Sequence, residues 1–211
     1  MKAADELPVG VECAWPLPAK ASRADRIWLA AAALVLVVGA WQASRGLWIQ
    51  AKATVAQVLI AHAWSRTLAG KADARPWPWA DTWPVARLTV PRLGAEYYVL
   101  EGADGSAMAF GPGHARGTAF PGSAGNSVIG GHRDTHLAFL RELRPGDEIV
   151  VERPDGARVS YRAGRAEVMD RRAVWVMEQA GPTRLTLVTC YPFDALRAGG
   201  PLRYVLVAFL G

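Results

Sequence analysis

Cysteine is scarce: the 211 residues hold only Cys13 and Cys190. Two cannot build a disulfide framework. Neither has the closely spaced ligand partners that a structural zinc site requires. His132 and His136 lie four apart, but they follow Gly130-Gly131 rather than sitting on a helix, and no H-E-x-x-H pattern occurs. No acidic cluster suits calcium, so neither a metal nor a cofactor is expected. Runs of basic residues are also missing. The net charge is +5, yet the 24 Lys and Arg are dispersed among 19 Asp and Glu, and no nucleic-acid-binding motif occurs, so no nucleic acid is expected as a partner. The 21 Gly and 14 Pro follow no period, and no segment repeats. What is present is an apolar share of 51% against 20% charged residues, a balance that supports a packed core and excludes wholesale disorder.

Charge is absent altogether from residues 27–44, an 18-residue stretch between Arg26 and Arg45. As a helix it spans about 27 Å, close to the hydrocarbon thickness of a bilayer. Trp28, Trp41 and Trp48 flank it as interfacial residues do. A buried core helix seldom runs so far without a charge. A cleaved signal peptide needs a small-x-small site, which the Ala40–Ser44 segment does not offer. We therefore read a membrane contact through one uncleaved helix. Lys20, Arg23 and Arg26 precede it, against Arg45 and Lys52 after it, which favours a cytoplasmic N-terminus. The expected organisation is a tail (1–26), a transmembrane anchor (27–44), a helical linker (45–75) with Gly70 as a stop, and a soluble domain (76–211). Cys13 falls in the reducing compartment and carries no expected chemistry. The Arg75–Pro84 segment, with three Pro and three Trp, ends the helical stretch.

Beyond Val85 the pattern becomes that of strands. Short β-like runs occupy 87–91, 97–100, 127–129, 148–152, 158–162, 165–169, 184–190 and 202–209. Pro145-Gly146-Asp147, Pro154-Asp155-Gly156 and Gly181-Pro182 separate several of them as turns, and Pro154-Asp155-Gly156 marks a hairpin. Residues 137–143 fit one or two helical turns. Many short strands in so few residues predict a mainly β domain, a closed or nearly closed barrel.

Three segments carry chemistry. In Gly125–Asp134 a short strand runs into two glycines and then His132, which places an imidazole at a strand end. In Leu185–Pro192 alternation puts Thr186, Val188 and Cys190 on one face, and Pro192 ends the pairing just after the thiol. In Pro201–Val207 Arg203 begins the last strand. If the last two strands pair antiparallel through Gly199-Gly200, Cys190 and Arg203 are neighbours across the ladder. A thiol, an imidazole and a guanidinium then converge at one barrel end. Positive charge beside Cys190 favours its reactive thiolate. An imidazole can protonate a leaving amine, and an arginine, always charged, can hold an oxyanion. Taken singly, each has a structural role open to it: a small buried hydrophobe, a hydrogen-bonded histidine, a solvated strand arginine. His114 reads as a packing or turn residue, Asp134 as pointing away from His132, and Tyr97-Tyr98 as strand packing.

The segments resemble the sortases, membrane-anchored cysteine transpeptidases of bacterial surfaces. Thr186-Leu187-Val188-Thr189-Cys190 is similar to the family's TLxTC motif, and Gly131-His132-Arg133 to its histidine motif. Arg203 stands where the family's arginine is expected. The stretch from Gly111-Pro112-Gly113-His114 through Thr118–Gly122 to Asn126 resembles the family's approach to its histidine. Within the family the resemblance is greatest to the class of Gram-negative proteobacteria (class GN). It implies an eight-stranded β-barrel with short helices, preceded by the transmembrane helix. It implies that Cys190 attacks the Thr–Gly bond of an LPxTG-like signal on a secreted protein, with His132 as general acid and then base. Arg203 would bind the signal and stabilise the intermediate, and Thr189 would help bind substrate or shape the oxyanion site. An amine acceptor, a cell-wall peptide or a protein lysine, would resolve the thioester outside the bacterial inner membrane, on the periplasmic side. Two other readings stay open: an anchored barrel that binds without catalysis, and an L,D-transpeptidase-like enzyme. The latter expects an Arg two residues after its Cys, where this chain has Pro192.

Overall fold

The computed structural model describes residues 22–195, 197 and 199–211. Cys13 and the rest of the expected tail up to residue 21 lie outside them. The chain divides into two compact units, with the boundary between Ile49 and Gln50.

The first element, α1, is a helix from Arg23–Leu68. Its start is a reciprocal cap: Asp25 N donates to Ser22 Oγ at 3.1 Å, and Ser22 N to Asp25 Oδ2 at 2.8 Å. The helix covers the expected anchor (27–44) and most of the expected helical linker (45–75). The reason is that residues 23–68 contain no proline, and a charge such as Arg45 does not break a helix. Termination comes at Gly70, whose φ of +89° accommodates the helix exit. The apolar part of α1 is long enough to cross a membrane, and Trp28, Leu36 and Trp41 are exposed there.

In the second unit eight strands close a barrel in the order β1-β2-β3-β4-β7-β8-β6-β5. They are β1 (Pro84–Val90), β2 (Ala95–Glu101), β3 (Gly113–His114), β4 (Asn126–Gly131), β5 (Glu148–Glu152), β6 (Arg158–Asp170), β7 (Arg184–Tyr191) and β8 (Leu202–Leu210). β1 pairs antiparallel with β5 and closes the ring. The expected hairpin at Pro154-Asp155-Gly156 joins β5 to β6. Two expected runs, 158–162 and 165–169, are a single strand, β6. Its register against β8 shifts between Ala163 and Ala166. Gly164 sits in that break, where an added Cβ would stand 2.6 Å from Val207 O, so the bulge requires glycine. β3 was not expected, because two residues leave no periodic pattern to read. A four-residue helix, α2 (Gly105–Met108), follows β2, and a 3₁₀ turn covers Ala138–Arg141.

Alternation along the strands packs Leu88, Ile149, Leu185, Leu187, Leu206 and Ala208 into one core. The alternate positions of β7 and β8 lie on the opposite face of the sheet: Thr186, Val188 and Cys190, then Arg203, Val205 and Val207, of which Thr186 and Val205 are buried there. The C-terminal part of α1 contributes Ile60 to a smaller cluster with Leu100 and Ala107.

Leu88 is fully buried in the main core. Leu88→Ala is expected to cost about 2–5 kcal/mol through lost burial and the cavity left behind, measured by denaturant unfolding.

Candidate active site

The site follows from strand order. β4 and β7 run parallel, with Gly130 opposite Val188 and Gly131 opposite Thr189. His132 and Cys190 are the next residues on their strands, so both emerge at the same rim. β8 runs antiparallel on the other side of β7, with Arg203 opposite Cys190. Cys190 therefore lies in the middle of three adjacent strands, flanked by His132 on one side and Arg203 on the other. Neighbouring strands are separated by about 4.8 Å.

Exposure agrees with this arrangement. His132 is exposed, while Cys190 and Arg203 are half-buried. The thiol is reachable and is not a sealed core residue. Arg203 Nη1 donates to Gly200 O at 2.8 Å and to Leu202 O at 2.9 Å, which folds the guanidinium back over the start of β8.

Thr189, expected to touch substrate or shape an oxyanion site, is buried. Its hydroxyl donates to Gly131 O at 2.7 Å. That bond ties the residue before the thiol to the residue before the imidazole, so Thr189 is placed to brace the site from beneath. Gly131 is required by the same packing: a Cβ there would stand 2.8 Å from Cγ of Leu137, a fully buried side chain. The turn after His132 closes with Leu137 N donating to His132 O at 3.0 Å.

Two histidines beside the site have structural settings. His114 is buried between Glu101 Oε2, 3.1 Å from its Nδ1, and Ala119 O, 3.0 Å from its Nε2, and it stacks on Phe120. This agrees with the packing role expected of it. His136 lies edge-on to Tyr97, with ring centroids 6.1 Å apart. Burial, and after it the nearby His132 imidazole, hold its pKa below the ordinary 6.5, against the opposing pull of the Ala109 backbone and Asp134. Asp134 is exposed.

The outer face beside the site carries a groove of about 630 Å³. Val205, Val207 and Phe209 of β8 form its floor, and Trp175 and Pro182 of the β6–β7 connection contribute to its wall. Asn126 Nδ2 holds that connection down through Val176 O at 2.8 Å and Glu178 O at 3.0 Å, and its Oδ1 accepts from Thr186 Oγ1 at 2.7 Å. Asn126 was legible only as part of a resembling stretch. Its anchoring role depends on carbonyls 50 and 52 residues away.

The sortase-domain family profile matches residues 88–210, more than half of the chain. The chain belongs to the sortase family. Sortase D of Bacillus subtilis is 30% identical over 120 residues, which cover 56% of this chain and 60% of that protein. Sortase SrtE1 of Streptomyces coelicolor is 38% identical over 87 residues, covering 36% of this chain and 25% of that protein. The structure of a Clostridium perfringens sortase D5 transpeptidase superposes with a TM-score of 0.54 and 25% identity, over 70% of this chain and 86% of that one. This sortase thus spans three-fifths or less of the length of those two curated relatives. Its closed eight-stranded barrel is the architecture of its structural neighbours.

Thr189→Val keeps the shape but leaves the buried Gly131 carbonyl without its hydroxyl donor. We expect a loss of about 1–3 kcal/mol in denaturant unfolding. A second expectation concerns pH. His136 is harder to protonate in the folded chain than in the unfolded one, so its contribution to stability is present above about pH 6.5 and is lost as the pH falls. His136→Phe is expected to flatten that acid-side loss in melting temperatures recorded from about pH 7 down to 5.

Proposed function

We propose that this sortase is a membrane-anchored cysteine transpeptidase that cleaves an LPxTG-like sorting signal between Thr and Gly and transfers the protein to an amine. The observation that carries the reading is the register of β4, β7 and β8, which sets Cys190 opposite Arg203 and leaves His132, the first residue past β4, at the same rim. The Cys190 thiolate attacks the Thr carbonyl carbon. The electron pair moves onto the oxygen, where the Arg203 guanidinium, released from Gly200 O and Leu202 O, meets the charge. Collapse of the intermediate expels the Gly amine, which takes a proton from the His132 imidazolium, and a thioester on Cys190 remains. The incoming amine loses its proton to His132 as it attacks, and the thiolate leaves. Thr189 acts through its bond to Gly131 rather than on substrate.

The groove beside Arg203 supports the same reading. Its Val205, Val207, Met169 and Trp175 suit the apolar Leu-Pro part of such a signal. The acceptor is a cell-wall peptide or a protein lysine. The basic residues before residues 27–44 favour an N-terminus inside the bacterial inner membrane and a catalytic domain on its periplasmic side. The Gram-negative class rests on the sequence resemblance alone, since the relatives found are of Gram-positive type.

The test is thioester trapping. Wild-type protein incubated with an LPxTG-like peptide should gain, at Cys190, the mass of the peptide up to Thr. Cys190→Ala should abolish adduct and turnover, and His132→Ala should lower turnover by at least about a thousandfold. Arg203→Lys should lose about tenfold to a hundredfold, because an ammonium lacks the planar fork. An absent adduct with every sorting peptide would favour a binding barrel, and full activity of Cys190→Ala would refute the assignment.

A further inference from the structure

His132 is the first residue past β4, and Arg133 lies in the turn that follows, which Leu137 N closes onto His132 O. His132 is exposed, whereas Arg133 is only 7% exposed. A guanidinium stays charged, and burying it is costly unless its N–H groups find acceptors. Arg133 Nη2 finds two: Ala195 O at 2.7 Å and Arg197 O at 2.8 Å. Both acceptors belong to the connection between β7 and β8. That connection begins just after Cys190 and ends just before Arg203. Its far end is held by Arg203 itself, through Gly200 O and Leu202 O. Two guanidinium groups therefore grip one loop by its carbonyls. They differ in what else they do. Under the function proposed above, Arg203 releases its carbonyls when substrate arrives. Arg133 is buried and keeps its bonds throughout.

We propose that Arg133 is a positioning residue, a clamp that fixes the β7–β8 connection to the turn after His132 and so keeps Cys190 and Arg203 aligned with the imidazole while Arg203 engages substrate. The clamp joins the histidine segment to the cysteine segment a second time, beside the Thr189–Gly131 bond. Nothing in its geometry brings it to substrate, so its effect runs through Arg203 and Cys190. The proposal rests on the sortase reading for its catalytic consequence, but not for the clamp.

The test uses the full-length chain in detergent, as wild type, Arg133→Met and Arg133→Lys. Methionine fills space without donating, and lysine can reach one carbonyl but cannot present a fork. Four readouts are taken: kcat and KM on an LPxTG-like peptide, the rate of tryptic cleavage after the exposed Arg197, the pH profile of Cys190 alkylation by iodoacetamide, and the melting temperature. For Arg133→Met we expect kcat to fall at least about tenfold with KM little changed, as a small misalignment of reacting groups requires. We also expect cleavage after Arg197 to quicken at least about fivefold, because the freed loop opens more often. The alkylation midpoint should stay at the wild-type value, and Arg133→Lys should fall between the two on kcat and on cleavage. Wild-type kcat together with wild-type cleavage in Arg133→Met overturns the proposal. A displaced alkylation midpoint also overturns it, because Arg133 would then act by charge on the thiol. If Arg133→Met does not fold, Arg133→Lys decides: reduced kcat with faster cleavage supports the clamp, and wild-type values of both refute it. If the wild-type enzyme turns over no sorting peptide, the function reading fails, while tryptic cleavage still reports on the clamp.

Discussion

The arrangement depends on one pairing, the parallel ladder between β4 and β7. Parallel neighbours end at the same rim, and here the two side chains of the proposed chemistry lie there: His132 one residue past Gly131, Cys190 one residue past Thr189. An antiparallel pairing at this point would send the imidazole and the thiol to opposite ends of the barrel. β8 then runs the other way, so that its beginning, and with it Arg203, reaches the rim where β7 finishes. Side-chain alternation puts the groups on one face, and strand direction puts them at one end. Both conditions are needed for a thiolate, a proton donor and an anion binder to meet a single amide.

The supports of that rim are buried polar side chains bonded to backbone carbonyls. Thr189 ties β7 to β4 through the Gly131 carbonyl. Asn126 and Thr186 fasten the β6–β7 connection over the groove. Arg133 holds the β7–β8 connection by two carbonyls. The pattern is consistent: backbone carbonyls of the mobile-prone connections are captured by side chains rooted in the strands or next to their ends. A loop fixed in this way can present a wall or a cation without a large hydrophobic core of its own. The glycines belong to the same economy of space, Gly131 beneath Leu137 and Gly164 against the Val207 carbonyl.

Much of this was legible in the chain. Turn residues and alternation located most of the strands, and the Gly199-Gly200 connection correctly placed Cys190 opposite Arg203. The misreadings have local causes. β6 looked like two strands because a glycine bulge interrupts its alternation, yet its pairing with β8 resumes beyond the break. β3 is too short to have a period. The role expected of Thr189, to help bind substrate or shape the oxyanion site, came from the resemblance, and its buried hydrogen bond was not legible in the chain. Adjacent strand residues face opposite ways, and its hydroxyl is spent inside. Arg133 could be seen only as part of a motif, since its acceptors lie 62 and 64 residues further along.

The sequence by itself determined the apolar helix, the β-rich domain and the three side chains proposed to react, because composition, alternation and turn chemistry act over a few residues. Tertiary structure decided what those residues face. That β4 lies beside β7 and runs with it, that Thr189 is inward and Cys190 outward, and that a buried guanidinium holds the loop between thiol and arginine are all contacts across tens of residues. Such contacts form only when the barrel closes, and closure is set by the packing of the whole ring rather than by any one segment.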